Sequence, residues 1–466
     1  MEKSDSGSTD VAFVRADSPK DALKKGFDLL GGLSSIIEEG NTVFIKSNLL
    51  LPEGFPTNIN MNLLGHLINS CKLAGAQKIN VACVPLEKTS MELISETFNL
   101  ETILREYGAE LLFLDDEEST PQTSIAVNSK SFMVPKALID CDKFIVLNQV
   151  NVAPLFNCTL SLLNPYSLIP NSQQRIDNGE MSDEDHIRSN HYKKKLLSNM
   201  IDVLSIRSPD LVINDCFYVL ERAGPFIYRD SALKETKSFV IGTDPLAVDL
   251  ITLRSFDADY FKNPVIIEAM VKKVGIENFD NINVLGDNVD ENTSNIIFPK
   301  ENLDQIPILN CSVKTGTYCS GCYIQAYHLL NLIKTFMVKD MKYIKYQSIL
   351  MGYNPPEPDE SFNTLLFGDC SIKTTKNYKF RRIKIEKESL SLSDNIKKMI
   401  KKDFRPAIKY KIVEKPNSNI LELPGCPPDI NKSFDLILKY YKKKNVPSLR
   451  LYHDLLKQSL EFSKNN

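Results

Sequence analysis

Four cysteines toward the C-terminus have the types and spacing to do chemistry. Cys319 and Cys322 stand in Thr317-Tyr318-Cys319-Ser320-Gly321-Cys322, Cys370 follows Phe367-Gly368-Asp369, and Cys426 lies in Pro424-Gly425-Cys426-Pro427-Pro428. Two thiolates two residues apart can hold one centre from a single tight turn. Each distant cysteine lies in a turn marked by a glycine, which lets backbone approach a ligated atom. Pro427 and Pro428 offer no N–H and stiffen the exit from the last turn. Four thiolates suit either a 4Fe-4S cluster or structural zinc. Cys311 is a reserve ligand. The other five, Cys71, Cys83, Cys141, Cys158 and Cys216, lie in or beside apolar runs and read as small core hydrophobes.

A second set of polar residues stands at the ends of apolar runs: Lys46, Asn48, Asp215, Glu221 and Asp249. Lysine at a strand end can meet an anion or extend to solvent. Asp215 and Glu221 could hold a metal, act as acid and base, or simply cap helices. Asp249 falls within an apolar helical pattern, where a carboxylate needs a partner. Asp244, directly before Pro245, reads as a helix N-cap. Asp183-Glu184-Asp185-His186 with His191 can compose a metal site but reads more simply as a solvated loop entering a helix.

The elements that must position these groups alternate. Val11–Val14 is followed by a helical pattern from Pro19 to about Glu39. Thr42–Lys46 precedes a helix from Met61 to Ala74, and Lys78–Ala82 precedes helical segments to Tyr107. Glu110–Leu114, Lys143–Leu147, Asp210–Asn214, Ser238–Ile241 and Asn281–Gly286 read as further buried strands. Continuous apolar strands alternating with helices predict an α/β fold, a mainly parallel sheet with helices on both faces. Ligands bind such sheets beyond the carboxyl ends of strands. The long stretch from Pro154 to His191 suits a lid over that edge. The organisation expected is a disordered tail at 1–10, an α/β domain at 11–300 and a smaller C-terminal α+β cysteine-ligand domain at 301–466.

The 466 residues are 42% hydrophobic and 25% charged, with a net charge of −3. That balance fits a globular protein and gives no electrostatic case for nucleic acid or an acidic membrane. Met1–Asp10 is polar, without the apolar core of a signal peptide, and no apolar run reaches spanning length. A cytoplasmic setting is expected, where ten cysteines serve as thiols or ligands rather than disulfides. No nucleotide-phosphate loop or dinucleotide fingerprint is present. Asp429 can cap a helix from Ile430 to about Lys444, aiming its N-terminus near Cys426. The lysines of Asn395–Lys402 and Lys442–Lys444 read as solvated faces, or as a docking surface for an acidic electron-transfer protein.

Several motifs, in order along the chain, resemble the domain-of-unknown-function 362 family. They are Phe44-Ile45-Lys46-Ser47-Asn48-Leu49-Leu50, Leu73-Ala74-Gly75-Ala76, Val134-Pro135-Lys136, Leu211-Val212-Ile213-Asn214-Asp215 and Thr243-Asp244-Pro245-Leu246-Ala247-Val248-Asp249. The resemblance covers roughly Val11 to Asn288 and implies a strand-edge site. It also agrees with a cluster, because many members carry iron–sulfur domains. One departure stands out. The family's Lys-x-Lys-x-His run is replaced here by Leu147-Asn148-Gln149-Val150-Asn151. The Pro424–Pro428 turn resembles the cluster-binding turn of nickel–iron hydrogenase small subunits and of the related complex I subunit.

The function expected is a redox enzyme or electron-transfer component acting on a small anionic substrate at the strand edge. The alternative is a non-redox small-ligand protein in which the cysteines hold structural zinc or a structural cluster.

Overall fold

The computed structural model describes residues 8–52, 54–85, 90–115, 120–177, 191–341, 346–358, 363–387, 408–414 and 419–441. The acid–histidine run at 183–186, the lysines of 395–402 and 442–444, and most of the N-terminal tail lie outside the described residues. The described residues divide into two compact units, the first ending at Glu301 and the second beginning at Asn302.

The first unit is built on eight strands: β1 (Thr9–Arg15), β2 (Thr42–Ser47), β3 (Lys78–Cys83), β4 (Glu110–Phe113), β5 (Lys143–Gln149), β6 (Leu211–Asp215), β7 (Ser238–Gly242) and β8 (Ile282–Gly286). Their order is β8-β1-β7-β6-β5-β2-β3-β4. Seven strands run one way, and only β7 is antiparallel to its neighbours β1 and β6. Helices α1 (Pro19–Leu29) and α2 (Met61–Leu73) cover one face, packing Leu23, Phe27, Leu63 and Leu67 with Ile45, Leu147 and Ile213. Helix α3 (Pro245–Ser255) covers the other, packing Ala247, Val248 and Ile251 with Phe44, Val146 and Val212. Burial of each large apolar side chain contributes about 1.5–3 kcal/mol. Alternate residues of every strand therefore feed two separate cores.

Helix α1 stops earlier than its periodicity predicts. Gly31 and Gly32 both take φ of 85°, which ends the helix, and only a 3-10 turn at Leu33–Ser35 follows. Helix α3 starts as expected: Asp244 accepts the Ala247 N–H at 2.9 Å, with Pro245 in the first helical position.

The second unit contains β9 (Cys311–Thr315), β10 (Gln347–Met351), β11 (Asn363–Phe367) and β12 (Ile420–Leu423), adjacent in that order and all parallel. Helices α4 (Ser320–Phe336), α5 (Asp369–Thr374) and α6 (Ile430–Tyr440) follow β9, β11 and β12. Asp429 caps α6 by accepting the Lys432 N–H at 3.0 Å. Among the described residues, no helix is long and apolar enough to cross a membrane.

Candidate functional site

Strands β2, β5 and β6 are neighbours, and their carboxyl ends carry three asparagines. Asn214 is in register with Asn148, and Asn48 directly follows the Ser47–Leu147 pair. Alternation turns all three toward the α3 face. Asn148 Nδ2 donates to Asn214 Oδ1 at 2.9 Å. Asn164 joins them from the 3-10 segment Ser161–Leu168. Its Nδ2 donates to Asn48 Oδ1 at 3.0 Å and to Asn148 Oδ1 at 2.9 Å. The part of the Pro154–His191 stretch that is described thus packs onto the edge, with Leu160, Leu162, Tyr166 and Ile169 in the core.

Asp249 closes this ladder. Its Oδ1 accepts from Asn214 Nδ2, Ser161 N–H and Ser161 Oγ at 2.8–2.9 Å, and its Oδ2 accepts from Leu162 N–H at 2.9 Å. Burial pushes its carboxyl up to about 6, against the pull of those four donors. The partner that a helical carboxylate needs is therefore the start of the Ser161 segment. Asp249 is fully engaged in holding it.

Lys46 is 1% exposed. Its Nζ donates to Ser47 O at 2.8 Å and to Cys83 Sγ at 3.6 Å, and among the described residues it forms no ion pair. Burial pushes its amine below the usual lysine value, with Cys83 opposing. Asp215 ends β6 at the same carboxyl edge, but its odd position turns it to the α1–α2 face. Its Oδ1 accepts the Phe217 N–H at 3.0 Å, and burial raises the carboxyl to about 7. Lys46 and Asp215 share an edge without touching. Two strand spacings and three residues separate them, about 10 Å across and about 10 Å along.

Glu221 lies in a separate hairpin, Tyr218–Glu221 with Ala232–Glu235. Its Oε2 accepts the Ile297 N–H at 3.0 Å and its Oε1 pairs with Arg222 at 3.5 Å. Its carboxylate is thus committed to holding the Ile297 segment. The amides at and beyond the end of β5 also have partners. Asn151 Nδ2 donates to Pro56 O at 2.7 Å and its Oδ1 accepts the Leu220 N–H at 2.8 Å. Gln149 Nε2 donates to Tyr218 O at 2.9 Å. Three buried oxygens of this region have no hydrogen-bond partner among the described residues: Ser47 Oγ, Gln149 Oε1 and Asn164 Oδ1. Ser47 Oγ can donate or accept, whereas the two amide oxygens can only accept.

In the second unit every proposed ligand follows the carboxyl end of a strand. Cys319 is the N-cap of α4 after β9, Cys370 lies in the first turn of α5 after β11, and Cys426 follows β12. The last two turns are tied together. Asp369 N–H donates to Gly425 O at 3.1 Å, and Gly425 N–H donates to Asp369 Oδ1 at 2.9 Å. Gly368 takes φ of 89° and Gly425 φ of 134°. A Cβ on Gly368 would stand 3.8 Å from Cys322 Sγ, so the first turn of α4 meets the β11 turn. Cys322 donates to Cys319, and that bond with the backbone N–H groups of Cys322 and Gly321 lowers the Cys319 thiol to about 7. Cys322, as donor and buried, is raised well above the usual value, with Cys426 and Cys370 adding to the effect. Burial lifts Cys370 to about 11, with Cys426 and Cys319 contributing. The four thiols thus feel one another. Among the described residues no group of three or more His, Cys, Asp or Glu is drawn together tightly enough to hold a metal ion. Cys311 opens β9 and so sits at the sheet's amino edge, away from the other four. An open groove of ≈ 710 Å³ adjoins the cysteine edge, lined by Thr315, Thr317, Tyr353, Asn354 and Thr374.

Cys83 was missed as anything but a core hydrophobe. The signal that finds it is register: Lys46 pairs with Ala82, the residue before it.

No curated protein matches the chain. Among solved structures, the lactate racemase apoprotein from Thermoanaerobacterium thermosaccharolyticum is similar at a TM-score of 0.32 and 12% identity, over 49% of this chain and 54% of that one. The chain therefore spans about half the length of that protein. A family model described as "Domain of unknown function (DUF362)" matches residues 43–254. The match ends ahead of all four proposed cysteine ligands, and the segment it covers, from β2 through α3, is the one that carries Lys46, Asn48, Asp215, Glu221 and Asp249.

Proposed function

We propose that the chain is an iron–sulfur protein whose second unit holds a 4Fe-4S cluster on Cys319, Cys322, Cys370 and Cys426. One observation carries this reading: four thiols from three turns stand just beyond the carboxyl ends of one parallel sheet, the ligand position of such sheets. The donor set fits the group. The N-termini of α4 and α6 favour anionic sulfur, and the positive-φ glycines let backbone close on it. A single zinc ion needs its thiolates packed at about 2.3 Å from one point, whereas a cluster spreads them over a larger body. A bound cluster supplies one-electron transfer. The groove lined by Thr317 and Tyr353 gives an electron partner or small molecule an approach to that edge.

The first unit is proposed to bind a small molecule at its own carboxyl edge. Ser47 supplies a hydroxyl and Gln149 and Asn164 supply amide oxygens, none with a partner among the described residues, and Lys46 supplies an amine with no counterion among them. Those groups favour an uncharged or donor-rich ligand over a strongly anionic one.

Anaerobic purification with iron, acid-labile sulfide and zinc analysis tests the cluster. The expected result is about four iron and four sulfide per chain, with brown colour and an electron paramagnetic signal after reduction. Cys370→Ser should lose colour and iron while the circular dichroism of the folded chain is retained. One zinc without sulfide would replace this reading with the structural one.

A further inference from the structure

Cys83 has surroundings unlike those of the other buried cysteines. Cys71 is shaped by burial alone. Cys83 Sγ receives Lys46 Nζ at 3.6 Å and the Leu49 N–H at 3.3 Å. The lysine is fully enclosed, bonded otherwise only to Ser47 O at 2.8 Å. An amine and a thiol are thus sealed together at the ends of two adjacent strands, β2 and β3.

We propose that Lys46 and Cys83 are an oxidation site that closes into a sulfenamide cross-link, with a hydroperoxide as oxidant. In the first step the Cys83 sulfur attacks one peroxide oxygen. The O–O bond breaks, sulfur loses two electrons, and peroxide is reduced to water and the sulfenic acid oxygen. In the second step the Lys46 Nζ lone pair attacks that sulfur. The S–O bond breaks as the S–N bond forms, and the departing hydroxide leaves as water with a proton from the amine. Thiol, amine and one hydrogen peroxide thus give the cross-link and two waters. Sulfenic acids condense with a nearby nitrogen in this way, and a second thiol reverses the product.

Each neighbour has a part. The Lys46 amine and the Leu49 N–H both point at Sγ, which in turn donates to Val84 O at 3.5 Å. Burial favours the free amine, which is the nucleophile. The Leu49 amide nitrogen is closer than the lysine, 3.3 Å against 3.6 Å, but is a far poorer nucleophile. The cross-link would fasten β2 to β3 at the edge and withdraw Lys46 from any ligand there. It does not depend on the cluster reading.

Peptide mass spectrometry on the full chain tests this. The protein is treated with hydrogen peroxide, denatured, alkylated and digested. The expected product joins the Lys46 and Cys83 peptides at about 2 Da below their sum, and vanishes with a thiol reductant. Lys46→Arg and Cys83→Ser should each abolish it, and Cys71→Ser should not. Amine labelling after denaturation gives a second readout on the unaltered chain: Lys46 should be blocked after oxidation and free after reduction. The proposal fails if Cys83 stays reduced, or appears as sulfinic acid or a disulfide while Lys46 labels fully. It also fails if the same product forms equally in urea-unfolded protein.

Discussion

Asp215→Asn should stabilise this protein at neutral and alkaline pH. The carboxyl is enclosed, accepts one N–H bond from Phe217, and forms no ion pair among the described residues. Burial takes it from 3.8 to about 7. At about 1.4 kcal/mol per tenfold change in proton affinity, the ionised fold carries a cost of about 4 kcal/mol. Between those two values the folded state holds more protons than the unfolded state. Stability attributable to Asp215 therefore falls as pH rises through that window and is lowest above about 7. Asparagine can still accept the Phe217 N–H and does not titrate. Urea unfolding followed by circular dichroism (the chain has no tryptophan) should find the variant about equal to wild type at pH 4. By pH 8 it should be more stable by up to about 4 kcal/mol. Taking the difference between the two proteins cancels the other titrating groups. A variant less stable at pH 8, or offset equally at both pH values, would refute the reasoning, because it would mean that Asp215 is solvated or paired. A buried acid kept at such a cost is what a site rather than a scaffold retains.

Asp249→Ala should do the opposite. It leaves the Ser161 and Leu162 N–H groups without their acceptor, at about 1–3 kcal/mol each, and thermal melts should fall accordingly. A change under about 1 kcal/mol would remove Asp249 from its role as the anchor of the Ser161 segment. Lys46→Met should flatten the alkaline limb of the stability profile. The folded amine sits below 10.5, so the unfolded state holds more protons on that limb and wild type gains stability as pH rises toward 10.5. Melts across that range should show the gain in wild type and not in the variant.

The fold was legible because the strands are continuous apolar runs, which only a sheet covered on both faces can bury. Val11–Val14, Lys143–Leu147 and Ser238–Ile241 all fall inside observed strands. Strand direction is not written in such runs, so nothing marked β7 as the antiparallel member. The helix expected to reach Glu39 ended ten residues sooner because paired glycines outweighed the continuing periodicity. At the site, residue type was readable and pleat was not. Lys46, Asn48 and Asp215 share one edge, but even and odd positions send the first two and the last to opposite faces. Asp249 announced that it needed a partner, while the partner, 88 residues away at Ser161, is set by tertiary packing. Asn148, Gln149 and Asn151 registered only as an absence of basic residues. Their partners across strands and turns belong to register, which composition does not carry.

The placement of the four thiols also fixes an order of assembly. Cys319 and Cys322 sit at the start of one helix, while Cys426 arrives more than a hundred residues later, after β12. Among the described residues β12 is the outermost strand and pairs only with β11. During synthesis the pair and then Cys370 emerge with a vacant edge beside β11. The Asp369–Gly425 bonds that draw the last turn inward form only when β12 docks. A four-thiol edge is therefore a property of the finished sheet and not of any nascent fragment. On the proposed cluster reading, metal offered too early would meet a two- or three-thiol intermediate, and loading would check that the C-terminal strand has found its place.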